Sequence, residues 1–303
     1  MTVADHASSR ELAALLSSAS VEVSSRGHRL HELGDKFRPG TDVTITYLPG
    51  DNYRQNVETA TALRRAGFNP VPHIAAREMP SRQALDDFLA RLRGEADVTR
   101  VLLIAGDVAA AKGPFKSSLD VGASGLIEAR GIARLSVAGH PEGHPYLAAA
   151  ATFKGLEAWR DWGRQVKIHV DVVTQFCFET APILEWLGEL DARGIDLPVI
   201  VGLAGPASPA TLTKFALRCG IGSSIRSLRG QIGRFGRLLA DTGPDDVMRG
   251  LQSAPQTATA SIAGFHLFPF GGLRKAAEWL RTYRQETLRQ IQQAAPGIGS
   301  QNP

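Results

Sequence analysis

Residues Arg100–Asp107 read RVLLIAGD, a run of β-branched and aliphatic side chains that ends on Gly-Asp. A run that is apolar along its whole length suits a strand covered on both faces, the condition met in parallel sheets. The same pattern recurs outward in both directions. Toward the N-terminus lie Pro70–Ala76, Val43–Leu48 and Val21–Ser25; toward the C-terminus lie Ala133–His140, Val170–Phe178, Leu197–Gly205 and Thr259–Phe268. Amphipathic stretches separate them, at Arg54–Ala66, Ser81–Arg93, Pro145–Trp162, Ala181–Arg193, Pro209–Cys219 and Gly271–Arg284. Leu85, Phe88, Leu89 and Leu92 repeat at the three- and four-residue spacing of one helix face. Ser81 and Ser208 are placed to cap the helices that follow, and Pro209 suits a first turn. Eight strand–helix units in 303 residues predict an α/β chain folded as one (β/α)8 barrel, because closure removes the edges of an open sheet. No Gly-x-Gly-x-x-Gly turn follows the first strand, which argues against an open dinucleotide-binding sheet. A further helix is expected ahead of the first strand, and extra helices between the seventh and eighth, over Arg218–Met248. Residues 1–303 read as a single catalytic domain, with 294–303, rich in Gly, Pro, Ser and Gln, expected as a disordered tail.

Composition narrows the function. Apolar residues make up 43% and charged residues 21%, a globular balance. No apolar run approaches the roughly 18 residues of a membrane helix. Acidic residues interrupt the N-terminal stretch, so no secretory leader is expected and the cytoplasm is the expected location. Cys177 and Cys219 neither frame disulfides nor form a metal cluster. A net charge of +4 is too mild to imply nucleic acid. Arg218, Arg226, Arg229, Arg234 and Arg237 concentrate locally, readable as a solvated helix face or as a landing site for an anionic tail. Phe235 alone among aromatics interleaves them, which disfavours nucleic acid.

In a barrel of this kind the active site lies at the C-terminal ends of the strands. Those ends carry Thr46-Tyr47, His73, Gly106-Asp107, His140 with His144, Thr174-Gln175 and His266. Glu22 sits inside the first strand, where a carboxylate between Val21 and Val23 is costly unless it meets a polar cavity; pairing with an arginine on the outer face is the alternative. Asp107 after glycine could simply cap a turn, and His73 could be a buried histidine satisfied by backbone. His140 and His144 are each followed by proline, which makes an extended segment rather than a zinc-binding helix, so no metal is expected. Cys177, between two phenylalanines, reads as a core residue, and no nucleophile elbow is present.

These strand ends resemble the motifs of the methylenetetrahydrofolate reductases. PHIAA at Pro72–Ala76 looks like the family's PHLTC, LLIAGD at Leu102–Asp107 is similar to LALRGD, and AGHPEGHP at Ala138–Pro145 resembles AYPEVHP. VTQFCFE at Val173–Glu179 is close to ITQFFFD, and FHLF at Phe265–Phe268 looks like FHFYT. The matches run in order from Glu22 to about Phe270. The resemblance implies a flavin-binding (β/α)8 barrel using FAD, with NADH or NADPH as co-substrate, that interconverts 5,10-methylenetetrahydrofolate and 5-methyltetrahydrofolate by ping-pong hydride transfer, as in methionine biosynthesis. It makes Glu22 the general acid on a folate nitrogen and Asp107 the bridge between flavin and pterin. Gln175 and Phe268 would then touch folate; Thr46, His73, Ala105, Gly106, His140, His144 and Arg164 would line the cofactor, Arg164 at its phosphates. The larger enzymes' regulatory domain is expected to be absent. Homo-oligomerisation and reaction direction are left open.

Three departures bear on the cofactor. Ala105 stands where the family has arginine, His140 where it has tyrosine, and the first strand reads VEVSSR in place of FEFFPPR. They keep open a flavin-independent or deazaflavin-dependent reductase of a one-carbon pterin, and a non-catalytic folate-binding barrel.

Overall fold

The computed structural model describes residues 11, 14–26, 30–34, 36–144, 146–219 and 241–294. Eight parallel strands pair in sequence order and close, as a TIM barrel: β1 (Ser20–Ser24), β2 (Asp42–Thr46), β3 (Asn69–Ala75), β4 (Arg100–Ile104), β5 (Arg134–Gly139), β6 (His169–Cys177), β7 (Val199–Ala204) and β8 (Ile262–Phe268). The expected strands are thus all present. β4 ends earlier than expected because Gly106 adopts φ +93°, which breaks the extended backbone.

Alternation along each strand divides the side chains between two cores. Val21, Val43, Val101, Leu135, Val172, Val199 and Leu267 face outward into the main core shared with the helices. Leu85, Phe88, Leu89 and Leu92 of the helix Arg82–Ala96 are all fully buried in it, as their spacing requires. Each such side chain contributes about 1.5–3 kcal/mol. Ser81 caps this helix by accepting from Ala84 N at 3.0 Å, and Ser208 accepts from Thr211 N at 3.3 Å. Residues 14–17 are helical just before β1. Helices Asp245–Ser253 and Gln256–Thr259 lie between β7 and β8, while residues 220–240, most of the stretch where the sequence predicts extra helices, lie outside the described residues. The last helix, Leu273–Ala294, runs beyond the expected end at Arg284 and takes in Ala294. Residues 295–303 lie outside the described residues.

The opposite parity fills the barrel. Val71, Leu102 and Val173 meet in a small apolar cluster with Ile104 and Ile200. At the N-terminal end Arg100 joins three strands: it donates to Asp42 at 2.7 Å, to both oxygens of Asp171 at 3.0 Å and to Ser136 Oγ at 3.1 Å. Ser136 also donates to Asp171 at 2.6 Å. The Asp171 side chain keeps only 2% of its surface exposed, so its charge depends on these donors. Replacing Arg100 by methionine should cost about 3–5 kcal/mol in urea denaturation, far more than removing an exposed pair such as Arg91–Glu95.

Candidate active site

At the C-terminal end the strand interiors converge on a carboxyl and two imidazoles. Glu22 projects from β1 and keeps 18% of its side chain exposed; its Oε2 lies 3.8 Å from His73 Nε2 on β3. His266 of β8 is 1% exposed, with Nδ1 2.8 Å from Ser20 Oγ. Burial raises the Glu22 pKa to about 8 and lowers His73 to about 4. Burial, then the charges of His73 and Arg100, takes His266 down to about 3. At neutral pH the acid is protonated and both imidazoles are neutral.

The loops after the strands complete the rim. Beyond β4 the positive φ of Gly106 turns the chain so that Asp107 stands exposed; a Cβ on Gly106 would sit 3.3 Å from Ala75 Cβ. Lys112 reaches from this loop to the buried carboxylate of Glu78 after β3, and Arg77 N donates to Ala105 O at 2.9 Å. His140 and His144 follow β5, their rings edge to face at 4.8 Å. Burial, then His144, lowers His140 to about 4; burial also lowers His144 against the opposing pull of Asp107. Cys219 ends the helix Pro209–Cys219 near both carboxylates: burial first, then Asp107 and Glu22, pushes its thiol up to about 11.

Gln175 owes its place to an irregularity. The β6–β7 register shifts between Val173 and Phe176, and the Thr174 hydroxyl spans it, accepting from Gly202 N at 2.9 Å and donating to Gln175 O at 2.8 Å. Such a bulge re-aims a side chain at the rim. Gly202 must be glycine, because a Cβ would lie 2.4 Å from Thr174 O and 2.8 Å from the Phe268 ring. Phe268 is half-buried, with its ring 4.7 Å from His266 and 5.6 Å from Phe176.

The structure therefore brings Glu22, Thr46, His73, Ala105, Gly106, Asp107, His140, His144, Gln175 and Phe268 to strand C-terminal ends or the loops beyond them, Glu22 one step deeper. Arg164 is the correction. It lies in the last turn of Ala149–Val166, ion-paired to Asp196 at 2.7 Å, and lines a groove with His169 and Pro198 at the opposite end of the barrel. A helix following a barrel strand runs back toward the strand starts, so its C-terminal turn cannot reach the mouth. Of the arginine cluster, Arg218 is exposed; Arg226, Arg229, Arg234 and Arg237 lie outside the described residues.

Sequence reading marks the VEVSSR corner as divergent but passes over Asp51, the residue that organises it. Ser25 and Arg26 of the divergent VSSR corner bind the carboxylate of Asp51, at 3.4 and 2.5 Å, and Leu48 N donates to it at 2.7 Å. They tie the loops after β1 and β2 together. Cys219 also went unread as a site neighbour, since its helix position alone carries no sign of the mouth.

Thr46 Oγ1 and His73 Nε2 are buried without a hydrogen-bond partner among the described residues. The Thr46 hydroxyl suits the polar edge of a flat heterocycle, such as a flavin or pterin ring, while His73 Nε2 lies nearest the Glu22 carboxyl. Of the residues expected to meet the diphosphate of FAD, Ala105 offers no charge and Arg164 is at the other end; Arg226, Arg229, Arg234 and Arg237 lie outside the described residues.

No family model matches the chain. A curated 5,10-methylenetetrahydrofolate reductase of Pectobacterium carotovorum subsp. carotovorum is 28% identical over 192 residues, 62% of this chain. The chain is similar to a methylenetetrahydrofolate reductase. The match spans 60% of that relative's length. Among solved structures, a chitinase from Rhizomucor miehei covers 88% of this chain and 99% of its own at 9% identity and a TM-score of 0.45. D-psicose 3-epimerase from Clostridium cellulolyticum H10 covers 81% and 99% at 14% identity and a TM-score of 0.38. Scores this low carry no argument for this chain.

The buried acid makes stability depend on pH. Glu22 is raised from 4.5 to about 8, so the folded state holds its proton where the unfolded chain releases it; this contribution is full below 4.5 and lost as pH rises through 8. His73, lowered from 6.5 to about 4, acts oppositely: its contribution is full above 6.5 and lost as pH falls through 4. From pH 6.5 to 8 Glu22 acts alone of the two. Urea unfolding should show the wild type losing stability relative to Glu22→Gln across that window, by about 1.5–2 kcal/mol. Parallel curves for the two proteins would show that Glu22 ionises freely.

Proposed function

We propose that this barrel transfers hydride to or from a one-carbon tetrahydrofolate, interconverting 5,10-methylenetetrahydrofolate and 5-methyltetrahydrofolate, with Glu22 as the proton donor. The observation that carries this reading is a carboxyl held protonated at neutral pH, its pKa near 8, at the base of a mouth rimmed by Asp107 and His144. Opening a methylene bridge requires a proton on the departing nitrogen, and an acid with a pKa near the working pH gives it most effectively. The distant similarity to a methylenetetrahydrofolate reductase supports the same chemistry.

In this reading Gln175, aimed by the β6 bulge, hydrogen-bonds the pterin, and Phe268 packs against its face. Asp107 hydrogen-bonds the reacting rings from the rim. Thr46 and His73, with Ala105, Gly106, His140 and His144, line the side where a flavin ring would lie. A bound flavin supplies the hydride, taken from NADH or NADPH. The chain's residues orient the pterin, exclude water and deliver the proton.

A second reading is favoured by the charge-free Ala105 and the displaced Arg164. In it the barrel binds no FAD, and hydride passes from a nicotinamide or a deazaflavin. The absorbance of the purified protein separates the two. Visible flavin bands bleached anaerobically by NADH or NADPH support the first reading; a colourless protein that still reduces methylenetetrahydrofolate supports the second. Tight folate binding without hydride exchange in either direction would overturn both.

Glu22→Gln should bind folate with nearly unchanged affinity yet slow single-turnover reduction by about 10²–10⁴-fold. Undiminished turnover would remove Glu22 from the chemistry.

A further inference from the structure

The barrel interior holds an arrangement that proton donation by Glu22 does not by itself explain. His73 Nε2 is buried with no hydrogen-bond partner among the described residues, yet it stands 3.8 Å from Glu22 Oε2. An N–H···O bond needs about 2.9 Å, so the two atoms are roughly 0.9 Å short of bonding. A buried imidazole nitrogen left unpaired is costly, and its nearness to the acid gives it a use.

Two proton arrangements are open to the pair. The Glu22 proton could pass to His73 and leave an ion pair, or it could stay on Glu22 beside a neutral imidazole. The surroundings favour the neutral pair. The fixed charge of Arg100 on β4 bears on His266, and His266 on β8 in turn faces His73, so a second cation above them would be repelled. Val71, Leu102 and Val173 surround the axis with apolar surface, which penalises separated charge. Burial acts the same way, holding His73 near 4 and Glu22 near 8. Cys219, at its helix end, lies near both Glu22 and Asp107 and supplies no cation. His73 thus remains neutral and leaves the acid its proton.

The difficulty comes after the proton has left. A carboxylate at Glu22 would stand in the same apolar surroundings with no cation beside it among the described residues. We propose that His73 is a positioning residue for Glu22: as the Glu22 proton passes to the substrate nitrogen, the Nε2–H of His73 closes on the new carboxylate and bonds it. One proton moves, from the carboxyl oxygen to the substrate nitrogen; His73 keeps its own throughout. His266, bonded through Nδ1 to Ser20 Oγ, stays neutral on β8 and offers the new carboxylate no counter-charge. This assignment rests on the proton-donor reading of Glu22 given above.

The test uses the full chain with the Glu22 side-chain carboxyl carbon labelled and followed by ¹³C NMR between about pH 5 and 10. Wild type, His73→Gln and His73→Leu are compared, with circular dichroism as the check on folding. Glutamine keeps an N–H near the Nε2 position; leucine keeps bulk alone. His73→Leu should raise the Glu22 titration by about one pH unit or more and slow folate turnover by more than about ten-fold at pH 7. His73→Gln should recover most of both. Equal behaviour of the two variants, or a Glu22 titration unmoved in His73→Leu, would overturn the proposal. Should His73→Leu fail to fold, His73→Asn replaces it, since its shorter amide cannot reach the acid; an asparagine variant titrating like glutamine overturns the proposal too. The NMR shift is read without turnover, so a failed acid assignment, seen as full activity in Glu22→Gln, stays distinguishable from failed coupling.

Discussion

Barrel closure between the first and last strands is the constraint on which the rest depends. β1 and β8 meet through Ser20↔His266 and Val21↔Leu267. This parallel seam joins segments nearly the whole chain apart, and no local propensity enforces it. The inward-facing member of the seam on β8 is His266, bonded to Ser20. Two residues further along β1 sits Glu22. The contact that makes the sheet a cylinder therefore also sets the depth and direction of the buried acid. Loosening the seam would disturb fold and chemistry together.

Polar groups inside the cylinder are sorted by height. Arg100, Asp42, Ser136 and Asp171 form an ionic layer at the strand starts, where mutual pairing offsets desolvation. Valine, leucine and isoleucine side chains fill the space above. Toward the other end come Glu22 and His73, which are not paired in this way among the described residues, and whose ionisation is shifted by burial. The difference between the two polar levels is one of satisfaction. Stability resides where every charge has a partner, and reactivity where a proton is held for want of one.

Much of the fold was legible because each strand carries its own signal. RVLLI and VDVV are too apolar to be half-exposed, and their recurrence with amphipathic stretches leaves few closed arrangements. The Leu85–Phe88–Leu89–Leu92 face and the Ser81 cap are local physics and appear as read. The strand-end rule likewise indicated most of the mouth. What escaped was three-dimensional in origin. Arg164 was assigned by its position before β6, but helix direction puts that position at the wrong end of the barrel. The bulge that aims Gln175 depends on Thr174 meeting Gly202, a contact across 28 residues that no window along the chain contains. Arg26 and Asp51, 25 residues apart, look like ordinary loop charges until the fold pairs them.

The apolar belt of Val71, Leu102 and Val173 has a consequence for traffic. With the ionic layer below it, it makes the cylinder a blind well, stopped at one end and open at the other. Anything that reaches Glu22 must enter and leave by the same opening. Reactants that need that position cannot overlap in time; they must queue. Order of events would then follow from the shape of the vessel, with no separate gate to impose it.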